Sequence, residues 1–413
     1  MERVFGYVGI DWATEAHQVC ALDAQGAVLW ERSVPHNGDG LSLLADQLTA
    51  WAAGSPSAIW VAIEVPRGAV VETLLERGFS VFSINPKQLD RFRDRFSVAG
   101  AKDDRLDARV LADSLRTDQP RFRRLQVEPP DVIELREWSR LTDELKQERT
   151  RLTNRFREQL RRYFPQAAEL TNNLAEPWFL DLWQRVPTPQ AARRVRVATV
   201  RAILQAHRIR RLSPVEVLAC LRQRPVVVAP GTAEAAQAYL QLLLPRLRLI
   251  LRQIAEAERR LDDLLPDVTT PAPNDKQRDA TILRSLPGVG RVVLATLLSE
   301  ASQPLVQRDY HTLRALCGVA PITKQSGKRR VVVRRMACHP RLREALYHWA
   351  RVACQHDPAC RSRYAALRQR GHTHGRTLRG IGDHLLYVTC TLLRKGELFD
   401  PGYRRNNQQT PAA

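Results

Sequence analysis

Apolar and polar residues follow a regular order along the first third of the chain. Apolar, β-rich runs with turn residues between them predict strands over 4–11, 18–23, 27–34, 58–64 and 80–84. Helical spacing of apolar residues predicts helices over 41–53 and 68–77, and helical sequence then continues to about residue 117. The order is three strands, then helix, strand, helix, strand and helix.

A three-strand meander followed by alternating helices and strands indicates a mixed sheet with helices on both faces. This order is typical of the ribonuclease-H-like fold. We therefore predict an α/β domain of that type over residues 1–128.

The rest of the chain is predicted to be mostly helical. Pro129 and Pro130 mark the first boundary, and leucine-rich helical spacing over 134–164 and 240–265 predicts two long helices. These helices are either an antiparallel coiled coil or subunit interface, or two ordinary packed helices. We predict a helical coiled-coil linker region with an insertion over 129–274, a C-terminal domain over 275–395, and a disordered tail over 396–413. Residues 166–235 are rich in arginine, and the sequence assigns them no role.

The charge of the chain is concentrated outside the first domain. The formal net charge is +20, yet residues 1–125 carry 15 Lys and Arg against 17 Asp and Glu. The remaining residues carry 49 against 27. Of the 64 cations 57 are Arg, so a composition bias is one explanation, but a bias does not explain why the first domain escapes the excess. A polyanionic partner, most commonly nucleic acid, is the other.

Several classes of protein do not fit the sequence. No run of 18 apolar residues and no signal peptide is found, so we expect a cytoplasmic, nucleoid-associated protein without a membrane partner. Seven cysteines without a CxxC pair fit a reducing compartment. Cys354, His356 and Cys360 lie close in sequence but lack a fourth ligand at standard spacing, which favours an incidental role over a metal site.

Four carboxylates stand where a metal site is expected. Asp11 ends the first predicted strand, Glu64 ends the fourth, and Asp104 and Asp107 lie one helical turn apart. Four converging acids would repel unless a cation lay among them, and Mg²⁺, with Mn²⁺ as an alternative, prefers such oxygen ligands. For Asp104 and Asp107 alone, a solvated helix face would be the simpler interpretation. His17 lies near the first acid and either contacts phosphate or has no catalytic role.

Two further motifs lie in the C-terminal region. The run from Leu286 to Gly290 has the sequence of a helix-hairpin-helix turn, whose N–H groups bind DNA phosphate without reading sequence. Ser326 lies in a glycine-flanked loop among cations, where it serves as a phosphate ligand, a nucleophile or a plain loop residue. The residues predicted to contact nucleic acid are Gly288, Gly290, Lys324, Lys328, Arg329, Arg330, Arg334 and Arg335.

Taken together, these motifs resemble those of a known family. The chain is similar to the DEDD insertion-sequence transposases related to the Piv/MooV DNA invertases, also known as bridge-RNA-guided recombinases. The resemblance covers residues 4–120 and 280–390, and the motifs stand in the family's order. They are Gly9-Ile10-Asp11 with His17, Glu64, Asn85-Pro86, the run Lys102 to Ala108, Pro287-Gly288-Val289-Gly290, Gly318-Val319-Ala320-Pro321, and Gln325-Ser326-Gly327.

The resemblance implies a transposase that joins a RuvC-like domain and a serine-bearing domain into a composite active site. Asp11, Glu64, Asp104 and Asp107 would hold Mg²⁺, and Ser326 would attack the DNA phosphate. Expected partners are the DNA of element ends and target, a noncoding guide RNA in some members, and further copies of the chain as a dimer or tetramer.

Two departures and three alternatives remain at the level of sequence. Asp103 stands where the family more often has a small polar residue, and residues 166–235 exceed the usual linker. The main alternative is a RuvC-like nuclease or junction resolvase that uses water as its nucleophile. An ATPase of the actin and sugar-kinase type lacks its second glycine-rich phosphate loop here, and a noncatalytic nucleic-acid binder would not need all four acids and the serine.

Overall fold

The computed structural model describes residues 4–96, 103–265, 275–327 and 329–402 and divides into two compact units. The first unit is Met1–Pro129 and the second is Pro130–Ala413. The end of the predicted linker region, 266–274, and the end of the predicted tail, 403–413, lie outside the described residues. None of the described helices is long and apolar enough to cross a membrane.

The first unit is built on a mixed six-stranded sheet in the order β3-β2-β1-β4-β5-β6. β1 pairs antiparallel with β2 and parallel with β4, and β4 pairs parallel with β5. The predicted mixed sheet with helices is thereby confirmed. The strands are β1 (Gly6–Asp11), β2 (Ala16–Asp23), β3 (Val28–Pro35), β4 (Ile59–Ile63), β5 (Ser80–Ser83) and β6 (Arg123–Arg124), and the helices are α1 (Gly38–Trp51), α2 (Ala69–Glu76), α3 (Pro86–Arg93) and α4 (Asp104–Asp118).

The side chains of β1 alternate between two different cores. Val8 and Ile10 join the apolar core that also contains residues of α1 and α2. Tyr7 lies on the opposite face, against Ala108 and Ala112 of α4. Because both faces are covered, β1 and its parallel neighbour β4 are almost continuously apolar, as expected for central strands.

Gly9 allows α4 to lie unusually close to β1. A Cβ atom at Gly9 would lie 1.8 Å from the carbonyl oxygen of Ala108 and 2.6 Å from the amide nitrogen of Ala112. Both are backbone atoms, so they cannot rotate away as a side chain would. Gly26, in the turn after β2, lies against the guanidinium of Arg116. Since that turn is at the end of the sheet where β1 begins, α4 runs antiparallel to β1.

The second unit begins with two long helices that pack side by side. The helices are α5 (Pro130–Tyr163) and α11 (Thr232–Leu264). They run antiparallel, because Lys146 of α5 forms an ion pair with Glu258 of α11 at 2.7 Å while Leu135 shares a core with Leu261. The two predicted helices therefore exist and pack within one chain.

Residues between these helices form a helical cap with its own core. Five short helices contribute, and Trp178, Trp183 and Phe156 are fully buried among them. The arginine-rich insertion is therefore a folded part of the protein. The helices are α6 (Pro165–Glu169), α7 (Pro177–Arg185), α8 (Pro189–Arg194), α9 (Val197–Ala206) and α10 (Pro214–Leu221).

The C-terminal part of the second unit is mostly helical, as predicted, with one strand hairpin. Its core includes Leu135 of α5 and Leu261 of α11, so it is continuous with the ends of the long helices. The elements are α12 (Asp275–Ser285), α13 (Arg291–Glu300), α14 (Ser302–Val306), α15 (Tyr310–Leu316), β7 (Ile322–Ser326), β8 (Arg329–Val333), α16 (Pro340–His356), α17 (Pro358–Gln369) and α18 (His374–Lys395).

A buried carboxylate fastens α5 to α13 and α16. The Glu300 side chain is only 3% exposed, and it accepts hydrogen bonds from Arg140 at 2.9 and 3.0 Å and from Arg341 at 2.6 Å. Burial raises the pKa of Glu300, but the hydrogen bonds and charge of Arg140, with His339 and Arg341, outweigh it and leave the pKa below its ordinary value. A buried charge is tolerated only when it is paired in this way.

We expect Gly9→Ala to destabilise the first unit by about 2 kcal/mol or more, since α4 must move away from β1 to admit the methyl group. Urea denaturation followed by circular dichroism measures the change. Gly38→Ala is the matched control, because nothing lies within 4 Å of its added Cβ. Equal stability of the two variants would show that the contact between α4 and β1 is not tight.

Candidate functional site

Asp11 and Glu64 lie at the same end of two neighbouring strands. β1 and β4 pair in register up to Ile10 and Ile63. The residues that follow these two in the sequence are Asp11 and Glu64. Strand neighbours are roughly 4.8 Å apart. Alternation along β1 places Asp11 on the same face as Tyr7, which is the face covered by α4.

The first turn of α4 reaches the same end of the sheet. Since α4 runs antiparallel to β1 and its residue Ala108 lies at Gly9, Asp104 and Asp107 lie toward the end where β1 stops. Asp104 is exposed, whereas Asp107 is 3% exposed. The fold thus brings all four predicted acids to one edge of the sheet.

Asp103 has a structural role at this edge. It is the N-cap of α4, and its side chain accepts a hydrogen bond from the amide of Arg105 at 3.2 Å. An aspartate is among the best residues at this position, because it satisfies a free amide at the helix N-terminus. The extra acid noted in the sequence is therefore explained by helix capping.

Arg93 holds the buried acid of the set. Its Nε and Nη2 atoms donate to the two carboxylate oxygens of Asp107 at 2.6 and 2.8 Å. Its Nη1 also donates to Asp90, at 3.2 Å. The hydrogen bond to Asp107 raises the pKa of Arg93 above its ordinary value. No pattern in the sequence indicated Arg93.

The donor atoms at this edge fit a hard divalent cation, because all four side chains offer carboxylate oxygens. In the part of the chain that the structure describes, however, no three His, Cys, Asp or Glu side chains lie close enough together to hold a metal ion. Both oxygens of Asp107 are already engaged by Arg93. A cation bound at Asp107 would therefore compete with Arg93 for its carboxylate oxygens.

His17 supports the turn that follows Asp11. The side chain is fully buried, its Nδ1 accepts from the amide of Ala13 at 3.3 Å, and its Nε2 lies 2.8 Å from Nδ1 of His36. Because Nδ1 is an acceptor, the proton of neutral His17 is on Nε2 and is donated to His36. Burial and the neighbouring His36 lower the pKa of His17. These contacts indicate that His17 positions the turn after Asp11. No pattern in the sequence indicated His36 as its partner.

Ser326 lies at the tip of an exposed two-stranded ribbon. It is the last residue of β7, pairs with Arg329 across the strands, and is followed by Gly327, which has a φ of +54°. Strand alternation places Lys324 and Arg329 on the face of Ser326, and Gln325 and Arg330 on the other. The predicted contact residue Lys328 lies outside the described residues.

The remaining predicted contact residues have mixed surroundings. Gly288 has a φ of +83°, and an added Cβ would lie 2.8 Å from the amide nitrogen of Ala353, so this glycine serves packing against α16. Gly290 is the N-cap of α13 and faces open space. Arg335 donates to the carbonyl of Ala320 at 3.3 Å, whereas Arg334 is exposed.

The cysteines near residue 357 do not form a metal site. Burial and the nearby Asp357 raise the pKa of Cys360 to about 12, and burial raises that of Cys354 as well. Among the described residues, no three His, Cys, Asp or Glu side chains come together here to hold a metal ion. Asp357 instead caps α17, accepting from the amide of Cys360 at 2.8 Å.

Two family models match this chain, in agreement with the geometry. Residues 8–165 match the DEDD transposase model of IS110, and residues 280–365 match the model described as transposase, IS116/IS110/IS902 family. A candidate transposase of the IS117 mini-circle from Streptomyces coelicolor is 30% identical over 407 residues, 95% of either chain. The chain belongs to the IS110/IS116/IS902 family of transposases.

Two further relatives align with the transposase over different lengths. A candidate transposase, y4uE of Sinorhizobium fredii, is 57% identical over 206 residues, and that alignment spans 57% of the relative. An uncharacterized protein of insertion element IS110 from Streptomyces coelicolor is 26% identical over 416 residues, 96% of its length. Membership of the family implies DNA binding and, through the DEDD residues, a divalent metal.

We expect Arg93→Gln to destabilise the metal-free transposase by about 3 kcal/mol, because Asp107 is left buried without a partner. Added MgCl₂ or MnCl₂ should recover more stability in this variant than in the wild type, since Arg93 no longer competes for Asp107. Thermal unfolding with and without the salts measures both effects. Arg77→Gln, which breaks an exposed ion pair with Asp46, is the control. If the cation stabilises the wild type, Arg93→Gln and Arg77→Gln equally, Arg93 does not compete with it for Asp107.

The lowered pKa of His17 predicts a loss of stability in mild acid. Below about pH 6.5 the unfolded chain takes up a proton that the folded transposase resists, so the free energy of unfolding falls as the pH falls. Urea denaturation between pH 8 and pH 5 should show a smaller slope for His17→Asn than for the wild type. His348→Asn, at an exposed site, should keep the wild-type slope. A wild-type slope in His17→Asn would refute this assignment.

Proposed function

We propose that this transposase cuts and rejoins DNA strands through a covalent phosphoserine at Ser326. The first unit supplies the carboxylates Asp11, Glu64, Asp104 and Asp107 as ligands for Mg²⁺, with Mn²⁺ as an alternative. The observation that carries the proposal is the position of Ser326 at the tip of an exposed cationic ribbon, within the residues that match the second family model.

The serine chemistry conserves the phosphodiester. The Oγ atom of Ser326 loses its proton and forms a bond to phosphorus, while the bond from phosphorus to a deoxyribose oxygen breaks and that oxygen takes up a proton. An incoming deoxyribose hydroxyl then reverses the exchange, forming a new phosphodiester and releasing the serine. No external energy source is needed, because each step exchanges one phosphate ester for another.

Lys324 and Arg329 are the residues placed to assist this exchange. Both share the face of Ser326, and Arg329 stands directly across the strands, where paired Cβ atoms are about 5 Å apart. Their charges lower the cost of the negative charge that develops on the phosphate oxygens. They also raise the fraction of serine in the ionised form, because a nearby cation favours an anion.

The carboxylate edge suits a metal that neutralises phosphate. A bound Mg²⁺ polarises a phosphate oxygen and stabilises a leaving oxygen. Asp11 ends β1, Glu64 directly follows β4 and Asp104 begins α4, so these three ligands lie at the ends of secondary-structure elements. The fourth ligand, Asp107, is hydrogen-bonded by Arg93.

The basic second unit suits nucleic-acid partners. The 288 residues after 125 carry 49 Lys and Arg against 27 Asp and Glu, and such an excess favours phosphate backbones of both DNA and RNA. We propose that the partners are element ends and target DNA, together with a noncoding guide RNA. Holding two DNA segments at once requires more than one copy of the chain, so we propose a dimer or tetramer.

We expect the wild-type protein, incubated with element ends, the flanking transcript and MgCl₂, to form a protein–DNA adduct on a denaturing gel. Ser326→Ala should abolish the adduct because it removes the nucleophile. Asp11→Asn should reduce it by at least about 100-fold, in line with the loss of a metal ligand.

Thr323→Val is the matched control, because Thr323 is an exposed hydroxyl residue on the opposite face of the same ribbon. It should leave the adduct unchanged. If DNA is cut without an adduct, and Ser326→Ala still cuts it, the serine mechanism is rejected. That outcome would favour a nuclease that uses water. Adduct formation without the transcript would reject the need for a guide RNA.

A further inference from the structure

A basic cavity lies at the base of the serine ribbon. It has a volume of about 370 Å³, and it is enclosed by the segment after β8, by α16, by the start of α18 and by the Gly318 turn. Gly318 has a φ of +71°, and an added Cβ would lie 2.8 Å from the Sγ atom of Cys338, so the turn fits only glycine. The cavity lies wholly within the second unit.

Three guanidinium groups line this cavity, from three different elements. Arg334 follows β8 directly, Arg343 is on α16 and Arg379 is on α18. One lining carboxylate opposes them: Glu344 is exposed and lies 3.8 Å from His348. The lining therefore has an excess of positive charge.

The positive charges are not neutralised from within the described chain. Burial lowers the pKa of Arg379, and the neighbouring Arg334 and Arg376 lower it further. Among the described residues, no carboxylate forms an ion pair with Arg379 or Arg334. Like charges held together in a half-buried space cost stability, and an anion bound there would remove that cost.

Backbone donors border the same space. α18 begins at His374, and its N-cap Thr373 makes no side-chain capping bond in the structure as described. Gly375, in the first turn, lines the cavity without a side chain to cover the backbone. The N-terminus of a long helix carries partial positive charge and free N–H groups, which suit an anion. The ring of His374 lies beside the cavity, with Nδ1 2.8 Å from the hydroxyl of Tyr364 and Nε2 3.4 Å from that of the lining residue Tyr347.

We propose that this cavity binds a backbone phosphate of the nucleic acid, one other than the phosphate attacked by Ser326. Arginine forks and helix N–H groups match the tetrahedral oxygens of a phosphodiester. The ribbon separates the two positions, since four strand steps from Ile322 to Ser326 span about 13 Å. A phosphate held at the base of the ribbon would fix the strand, so that another phosphate further along the same strand reaches the tip. The role of the cavity in strand exchange rests on the proposed serine chemistry. Its binding of phosphate does not.

The test uses the full chain with Ser326→Ala, so that binding is measured without covalent capture. The first probe is inorganic phosphate, followed by thermal unfolding. We expect phosphate to raise the melting temperature of this protein. Adding Arg379→Gln should raise the melting temperature without phosphate, because repulsion is relieved, and should abolish the response to phosphate.

The second probe is a single-stranded oligonucleotide, offered as DNA and as RNA. Arg379→Gln should weaken binding about 10-fold and should reduce the slope of log affinity against log salt by about 0.7. Whichever oligonucleotide shows both changes identifies the source of the phosphate. The control is Arg351→Gln, which removes an exposed arginine of α16 that lies outside the cavity lining.

The outcomes separate this site from the serine chemistry. Arg379→Gln that lowers the melting temperature and keeps the phosphate response would show a structural role and overturn the proposal. Equal behaviour of Arg379→Gln and Arg351→Gln with all probes would also overturn it. The adduct assay uses proteins that retain Ser326, whereas the phosphate and oligonucleotide measurements use Ser326→Ala, so each claim fails by its own measurement.

Discussion

The approach of α4 to β1 at Gly9 is the contact on which the acidic site depends. Backbone atoms of the helix occupy the space where any other residue would carry its Cβ atom. This contact sets how closely α4 approaches β1, and the antiparallel direction of α4 carries Asp104 and Asp107 to the end of the sheet where β1 stops. Glycine at position 9 is therefore the residue that permits this arrangement.

Buried charge in both units is held by arginine, with different consequences. Glu300 is enclosed by Arg140 and Arg341, and that pairing joins three helices of the second unit. Asp107 is enclosed by Arg93 alone, at an edge where three further acids lie nearby. The first arrangement has no evident competitor and is structural. In the second, a metal ion bound at Asp107 would compete with the arginine for the same carboxylate oxygens.

Positive charge without a partner marks the surfaces that suit nucleic acid. On the serine ribbon Lys324 and Arg329 stand on one face with their side chains in solvent, and at its base Arg334 and Arg379 repel each other in a cavity. An isolated two-stranded ribbon has little intrinsic stability. Phosphate contacts at its tip and base would hold it more firmly.

The sequence by itself determined the order of strands and helices in the first unit, because central strands must be apolar on both faces and acids can stand only at their ends. It therefore predicted Asp11 and Glu64 as neighbours and the two long helices of the second unit. Arg93, His36 and the cavity around Arg379 gave no signal, since each depends on residues distant in the chain meeting in space. Ser326 was expected in a loop, but strand pairing with Arg329 places it at the end of β7. Charge and periodicity are local properties of a chain, whereas which arginine meets which acid is decided only by tertiary packing.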